Sequence, residues 1–136
     1  HIRKMALDDL PTVAQIDDLS FQSFWKFSPT TLTMAFEQSA YSTIAEIDGK
    51  VVGFQISSAD LSHAHLVRLA VLPDYRNFQI GTALVRNMLL HFSVPWISQV
   101  TVNTQQDNQT SLHLYKQLGF EYCGESYPIF KYSVFS

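Results

Sequence analysis

Three runs rich in β-branched and aromatic residues follow one another with no helical stretch between them: "YSTIAEI", "KVVGFQISSA" and "HAHLVRLAVL". Only Asp48-Gly49 separates the first two, and such a pair supplies the positive φ angles of a type I′ hairpin turn. Two antiparallel strands and a third long one must therefore lie in series. Alternation along the third predicts His63, His65, Val67, Leu69 and Val71 on one face. A strand-helix-strand crossover then follows, so the sheet is mixed rather than doubly wound.

The remaining segments complete the order. "IRKM" reads as a short first strand, and Asp8 as a cap ahead of Leu10, Val13, Ala14 and Ile16 at helical spacing. After the aromatic, irregular "SFQSFWKFSPT", Ser28-Pro29 opens a second helix, "TTLTMAFEQ". A third helix is expected over about 79–92, with Ile80, Leu84 and Met88 one turn apart and Pro95 closing the unit. "ISQVTVN" is a strand. "DNQTSLHLYKQLG" is a helix capped by Asp107 or Asn108 and stopped by Gly119. "FEYCGE" and "PIFKYSVF" finish as strands. The expectation is an α/β fold ordered β-α-α-β-β-β-α-β-α-β-β: a mixed, mostly antiparallel sheet of about seven strands with helices on both faces. No repeat or linker divides the 136 residues, a length that fits one domain spanning 1–136.

Composition narrows the partners. A net charge of −3 argues against nucleic acid or an anionic membrane surface, although Arg68, Arg76 and Arg86 could form a local basic patch. No apolar run reaches the roughly 18 residues of a membrane span, and "HIRKMAL" is too short and broken for a signal peptide. The one cysteine, Cys123, reads as a half-buried strand thiol. A reducing, cytoplasmic setting is the expectation. His63, His65, His91 and His113 offer no pair that makes a metal site.

The segment "LPDYRNFQIGTALV" carries the chemistry. A strand end, a short turn and a helix start together make an anion site, because the first helical N–H groups lack internal partners and carry the positive end of the dipole. Arg76 adds a fixed cation that can fork onto phosphate oxygens. Gly81 allows close backbone approach, and Asn77 tolerates a left-handed conformation. On these grounds alone the stretch is either a phosphate loop or a plain turn.

"LAVLPDYRNFQIGTALV" resembles motif A of the GCN5-related N-acetyltransferases, whose loop reads Gln/Arg-x-x-Gly-x-Gly/Ala. Arg76 and Gly81 match, while Gln79 stands where the first glycine is usual. "NTQQDNQTSLHLYKQLGF" is similar to motif B of that family, with Asn108, Tyr115 and the closing Leu118-Gly119-Phe120. The "AEIDGKVVGF" hairpin sits where the family places its second and third strands. "IDDLSFQSFW" and Tyr127-Pro128 look most like the ribosomal-protein-alanine N-acetyltransferase subgroup, which acetylates protein N-termini.

The resemblance implies acetyl-CoA as acyl donor, held where the fourth and fifth strands splay apart. The backbone at Leu69, Ala70 and Val71 would pair with the pantetheine arm as an added strand does. The amides of Asn77, Phe78, Gln79, Ile80, Gly81 and Thr82 would hold the pyrophosphate, and Asn108 would bond the pantetheine side. It further implies direct attack of a neutral primary amine on the thioester through a tetrahedral intermediate. Tyr115 matches the tyrosine that protonates the leaving thiolate. The subgroup's strand-five glutamate base is matched by Asn103, an amide that can hold a relaying water but cannot itself accept the proton. His65 is the neighbouring base candidate, since imidazole titrates near neutrality.

Two other functions stay open. One is acetylation of a small amine, although a polycation would want more carboxylates than Glu37 alone in the substrate-side helix. The other is a catalytically degenerate domain that binds CoA or a partner, which Gln79 and Asn103 would suit. The terminal strands of this family often pair between subunits, so a homodimer is one expected state.

Overall fold

The computed structural model describes residues 1–20, 28–103, 109–122 and 129–133. Its elements are β1 (Ile2–Lys4), α1 (Leu10–Ser20), α2 (Pro29–Glu37), β2 (Tyr41–Ile47), β3 (Lys50–Ala59), β4 (His63–Val71), α3 (Ile80–His91), β5 (Gln99–Asn103), α4 (Gln109–Gln117), β6 (Glu121–Tyr122) and β7 (Ile129–Ser133). Short 3-10 turns at Leu7–Asp9 and Pro73–Phe78 lead into α1 and α3. The order of strands and helices is the one the sequence predicts.

The seven strands form one sheet in the order β1-β2-β3-β4-β5-β7-β6. Every neighbouring pair is antiparallel except β4 with β5. Asp48 (φ 51) and Gly49 (φ 79) make the expected hairpin turn. Ser28 caps α2 by accepting from the Thr31 N–H at 3.1 Å, with Pro29 just inside. Asp8 does not cap the first helical turn. Its neighbour Asp9 does, reaching back to accept from the Ala6 N–H at 2.7 Å while Arg3 forks onto the same carboxylate. The run of two aspartates left that choice open to sequence, and the cation on β1 settles it.

The sheet carries a core on each face. Val13 and Ile16 of α1 and Leu32 of α2 pack with Ile44, Phe54, Ile56 and Ala70. On the other face Val85, Met88 and Phe92 of the α3 region join Tyr115 of α4, Phe120, Ala64 and Leu66. α3 packs tightly over the sheet at Gly53. A Cβ there would meet the Ala70 carbonyl oxygen at 3.1 Å and the side chains of Ile80 and Leu84 at 3.3 Å.

The third long strand departs from simple alternation. Ile56 pairs with Arg68 but Ser57 pairs with Leu66, so Val67 is an extra residue, a β-bulge in β4. Beyond it the faces exchange. His65 and Val67 lie on the α1/α2 side, whereas Leu69 and Val71 pack with α3. The sequence reading, which kept all of these on one face, is corrected by that single residue.

Candidate active site

The bulge and the one parallel pair shape a gap. β4 pairs with β5 only from His63 to Leu66, opposite 99–102. Among the described residues, no strand covers that side of β4 over 67–71. The register shows which groups are left over. The Leu72 N–H donates to the Val52 carbonyl at 2.8 Å. Counting back by two, Ala70 and Phe54 form the next hydrogen-bonded pair. The Ala70 backbone is thus directed to β3. Leu69 and Val71, in the intervening non-bonded positions, turn their N–H and C=O groups into the gap. The Val71 carbonyl already accepts from Ser20 Oγ and from Arg76 Nε, each at 3.3 Å.

At the far end of the gap stands the N-terminus of α3. Gln79 precedes it in the left-handed conformation (φ 58, ψ 29), its side chain exposed and making no cap hydrogen bond. The Ala83 N–H is the first to find a helical carbonyl, that of Gln79. The amides of Ile80, Gly81 and Thr82 therefore stand ahead of the helical ladder, at the positive end of a 12-residue helix with no acidic residue in its first turn. Asn77 and Phe78 lie in the 3-10 turn before it, and Arg76 is exposed there. A Cβ on Gly81 would make only ordinary contacts, 3.7 Å to Leu114 and 3.9 Å to Val71. Packing within the chain does not demand this glycine, in contrast to Gly53.

His65 sits beside the closed end of the gap. Its Nδ1 lies 2.7 Å from Thr101 Oγ1, across the parallel pair. The threonine hydroxyl is directed to the Ala64 carbonyl at 3.5 Å. With that hydroxyl as donor, His65 donates from Nδ1 and keeps its Nε2 lone pair. Burial, and then the neighbouring His63, lowers its pKa, so the ring is neutral at pH 7.

Tyr115 is 4% exposed in the α3/α4 core, edge-on to Phe120 at 5.5 Å. Burial pushes its phenol well above the ordinary range. It is protonated at neutral pH, the form that has a proton to give. His65 and Tyr115 thus lie on opposite sides of the sheet, and the β4/β5 gap is the opening between those sides. Asn103 ends β5, opposite Ile129 of β7. Asn108, Cys123, Tyr127 and Pro128 lie outside the described residues.

Several partners were not legible in the sequence. Arg68 does not join Arg76 and Arg86 in a basic patch, because it is buried against Asp17 of α1. His63 has a partner after all, Asp60 Oδ2 at 3.1 Å from its Nδ1. His91 stacks on Tyr41 at 3.7 Å. Thr101 and Ser20 carried no signal beyond being polar in strand and helix patterns. Asp17 and Arg68 did carry one, a charge in each of two otherwise apolar stripes.

The arrangement is matched elsewhere. Residues 10–120 fit the sequence profile of the Acetyltransferase (GNAT) family. An uncharacterised N-acetyltransferase of Methanocaldococcus jannaschii is 31% identical over 123 residues, covering 88% of this chain and 76% of that protein. An N-alpha-acetyltransferase of Sulfurisphaera tokodaii is 27% identical over 134 residues, covering 89% and 80%. The crystal structure of the ribosomal-protein-S18-alanine N-acetyltransferase from Escherichia coli superposes with a TM-score of 0.88 at 20% identity, covering 98% of this chain and 93% of that one. The chain is a GNAT-family acyl-CoA N-acyltransferase, as its two sequence blocks imply.

Proposed function

We propose that this enzyme transfers acetyl from acetyl-CoA to the α-amino group of a protein or peptide N-terminus, acting as one domain in the cytoplasm. The observation that carries the donor site is the β4 edge that no strand covers among the described residues, where the Leu69 groups and the Val71 N–H face a gap that ends at a helix N-terminus without a side-chain cap. These features fit acetyl-CoA. Leu69 and Val71 would pair with the pantetheine amides, and the amides of Ile80, Gly81 and Thr82, with Arg76, would hold the pyrophosphate. Asn108 is assigned to the pantetheine side. The donor supplies the activated acetyl group, and everything else falls to the chain.

Each proton has a candidate. The neutral His65 accepts one from the incoming ammonium at Nε2, with Thr101 fixing the tautomer. Asn103 holds a water that links the amine to that base. Tyr115 returns a proton to the leaving thiolate. Chemistry of the acceptor supports the α-amine. Its ordinary pKa, about 8 against about 10.4 for lysine, asks little of a base as weak as a buried imidazole. Among the described residues of α1, the carboxylate buried on the face where His65 lies, that of Asp17, is taken up by Arg68 and is not available to a polyamine.

The test is CoA release from acetyl-CoA over a panel of peptides with free N-termini, the same peptides N-terminally blocked but carrying lysine, and polyamines. Turnover confined to free N-termini is expected. Turnover of the blocked peptides or polyamines alone would overturn the acceptor assignment. Binding of acetyl-CoA with no turnover at all would favour the degenerate reading.

A further inference from the structure

Asp17 is fully buried in α1, and Arg68 of β4 clasps its carboxylate through two hydrogen bonds, Nε to Oδ1 at 2.6 Å and Nη2 to Oδ2 at 3.0 Å. The arginine side chain is itself only 10% exposed. So deep a pair adds little net stability, because desolvating both charges offsets most of their attraction, and apolar side chains of similar volume would serve a core as well or better.

What distinguishes the pair is its place. Arg68 directly follows the bulge at Val67 and precedes the two residues whose backbone faces the gap. One helical turn beyond Asp17, Ser20 Oγ donates to the Val71 carbonyl at the other end of that edge. Between the two pinned positions of β4, Ala70 packs in one cluster with Val13 and Ile16 of α1. α1 is thereby fastened to the very stretch of β4 that, among the described residues, has no strand neighbour on its β5 side. It lies on the sheet face that also presents His65.

We propose that Asp17 and Arg68, supported by Ser20 and the Val71 carbonyl, act as a positioning clamp. It makes α1 and the donor-binding edge of β4 move as one body, so that filling the edge orders the acceptor side. The proposal rests on the reading of that edge as the acetyl-CoA contact. A bidentate arginine suits the task because its planar fork fixes direction as well as distance.

The test is amide hydrogen exchange with and without coenzyme A, on the wild type and on the double variant D17L/R68M, whose thermal midpoint should stay within a few degrees of wild type. In the wild type, coenzyme A is expected to slow exchange at 69–71 and at 13–20. In the double variant it should slow 69–71 only. With an amine acceptor, kcat should fall at least tenfold while the KM for acetyl-CoA changes less than threefold. Slowing at 13–20 that survives in the double variant overturns the clamp, as does wild-type slowing confined to 69–71. Absence of slowing at 69–71 in the wild type is a separate pattern, which removes the donor-edge reading and the clamp with it. If the double variant does not fold, R68K keeps the charge without the fork, and the slowing at 13–20 should then be at least halved. An undiminished effect there would overturn the proposal.

Discussion

His65 and Thr101 meet across the only parallel strand pair among the described residues, Nδ1 to Oγ1 at 2.7 Å, one position before the pairing of β4 with β5 ends at Leu66 and Val102. The contact fixes one ring nitrogen where the sheet is still closed and leaves the other for chemistry.

For His65 the expectation concerns both rate and stability. Its folded pKa lies below the unfolded value of 6.5 because burial disfavours the charged ring. Between those two values the unfolded chain binds more protons than the folded one. Stability is therefore complete above pH 6.5 and declines as pH falls through that window. His91 is shifted the same way, so H65N should flatten this decline without abolishing it. The same variant should lose the acidic limb of the kcat/KM profile, a limb located below pH 6.5. Urea midpoints and initial rates from pH 5 to 8 check both, and an unchanged rate profile would remove His65 as base.

Tyr115→Phe should keep the fold, since the ring stays packed against Phe120. With its proton donor gone, kcat is expected to fall at least tenfold, equivalent to about 1.4 kcal/mol of barrier or more, while acetyl-CoA affinity holds. Steady-state kinetics and calorimetric titration separate the two. Unaltered turnover would end the acid assignment.

Gln79→Gly should stabilise the protein by about 1 kcal/mol, the usual cost of holding a residue with a Cβ at φ 58. That corresponds to a rise of roughly 3–5 °C in the melting temperature. Affinity for acetyl-CoA should stay equal or tighten, because the exposed side chain is replaced and the backbone is not. Lost affinity would show that the glutamine itself touches the donor.

Two glycines should answer an added methyl group in opposite ways. Gly53→Ala pushes into the Ala70 carbonyl and two α3 side chains, at a cost of roughly 1–3 kcal/mol. Gly81→Ala has room within the chain and should melt no lower than wild type. Its methyl group would project between Val71 and Leu114, beside the gap, so acetyl-CoA should bind at least threefold more weakly. Melting curves and titrations of the pair distinguish a packing glycine from a ligand glycine.

The sequence made the architecture legible through local rules. Asp48-Gly49, Ser28-Pro29 and the Ile80, Leu84, Met88 stripe each specify their element without help from distant residues. The α3 entrance was legible for the same reason, because a loop-to-helix start announces its unpaired amides. What escaped was long-range. A bulge at Val67 depends on where β3 pairs, and nothing in "HAHLVRLAV" marks the residue that is skipped. The choice of Asp9 over Asp8, and of Asp17 as the partner of Arg68, depends on contacts 6 and 51 residues apart in sequence. The puzzle of Gln79 proved local after all, a left-handed position filled by a residue that tolerates it poorly.

An uncovered strand edge is ordinarily an invitation to aggregation, since any passing chain can extend the ladder. Here the edge is housed inside the sheet. It runs for only five residues, 67–71, and is shut at one end where Leu66 meets Val102. A slender ligand can lie in such a wedge, but a strand bringing its own sheet would collide with β5. The same splay that leaves these hydrogen-bonding groups open to a slender ligand thus shields them from other copies of the protein.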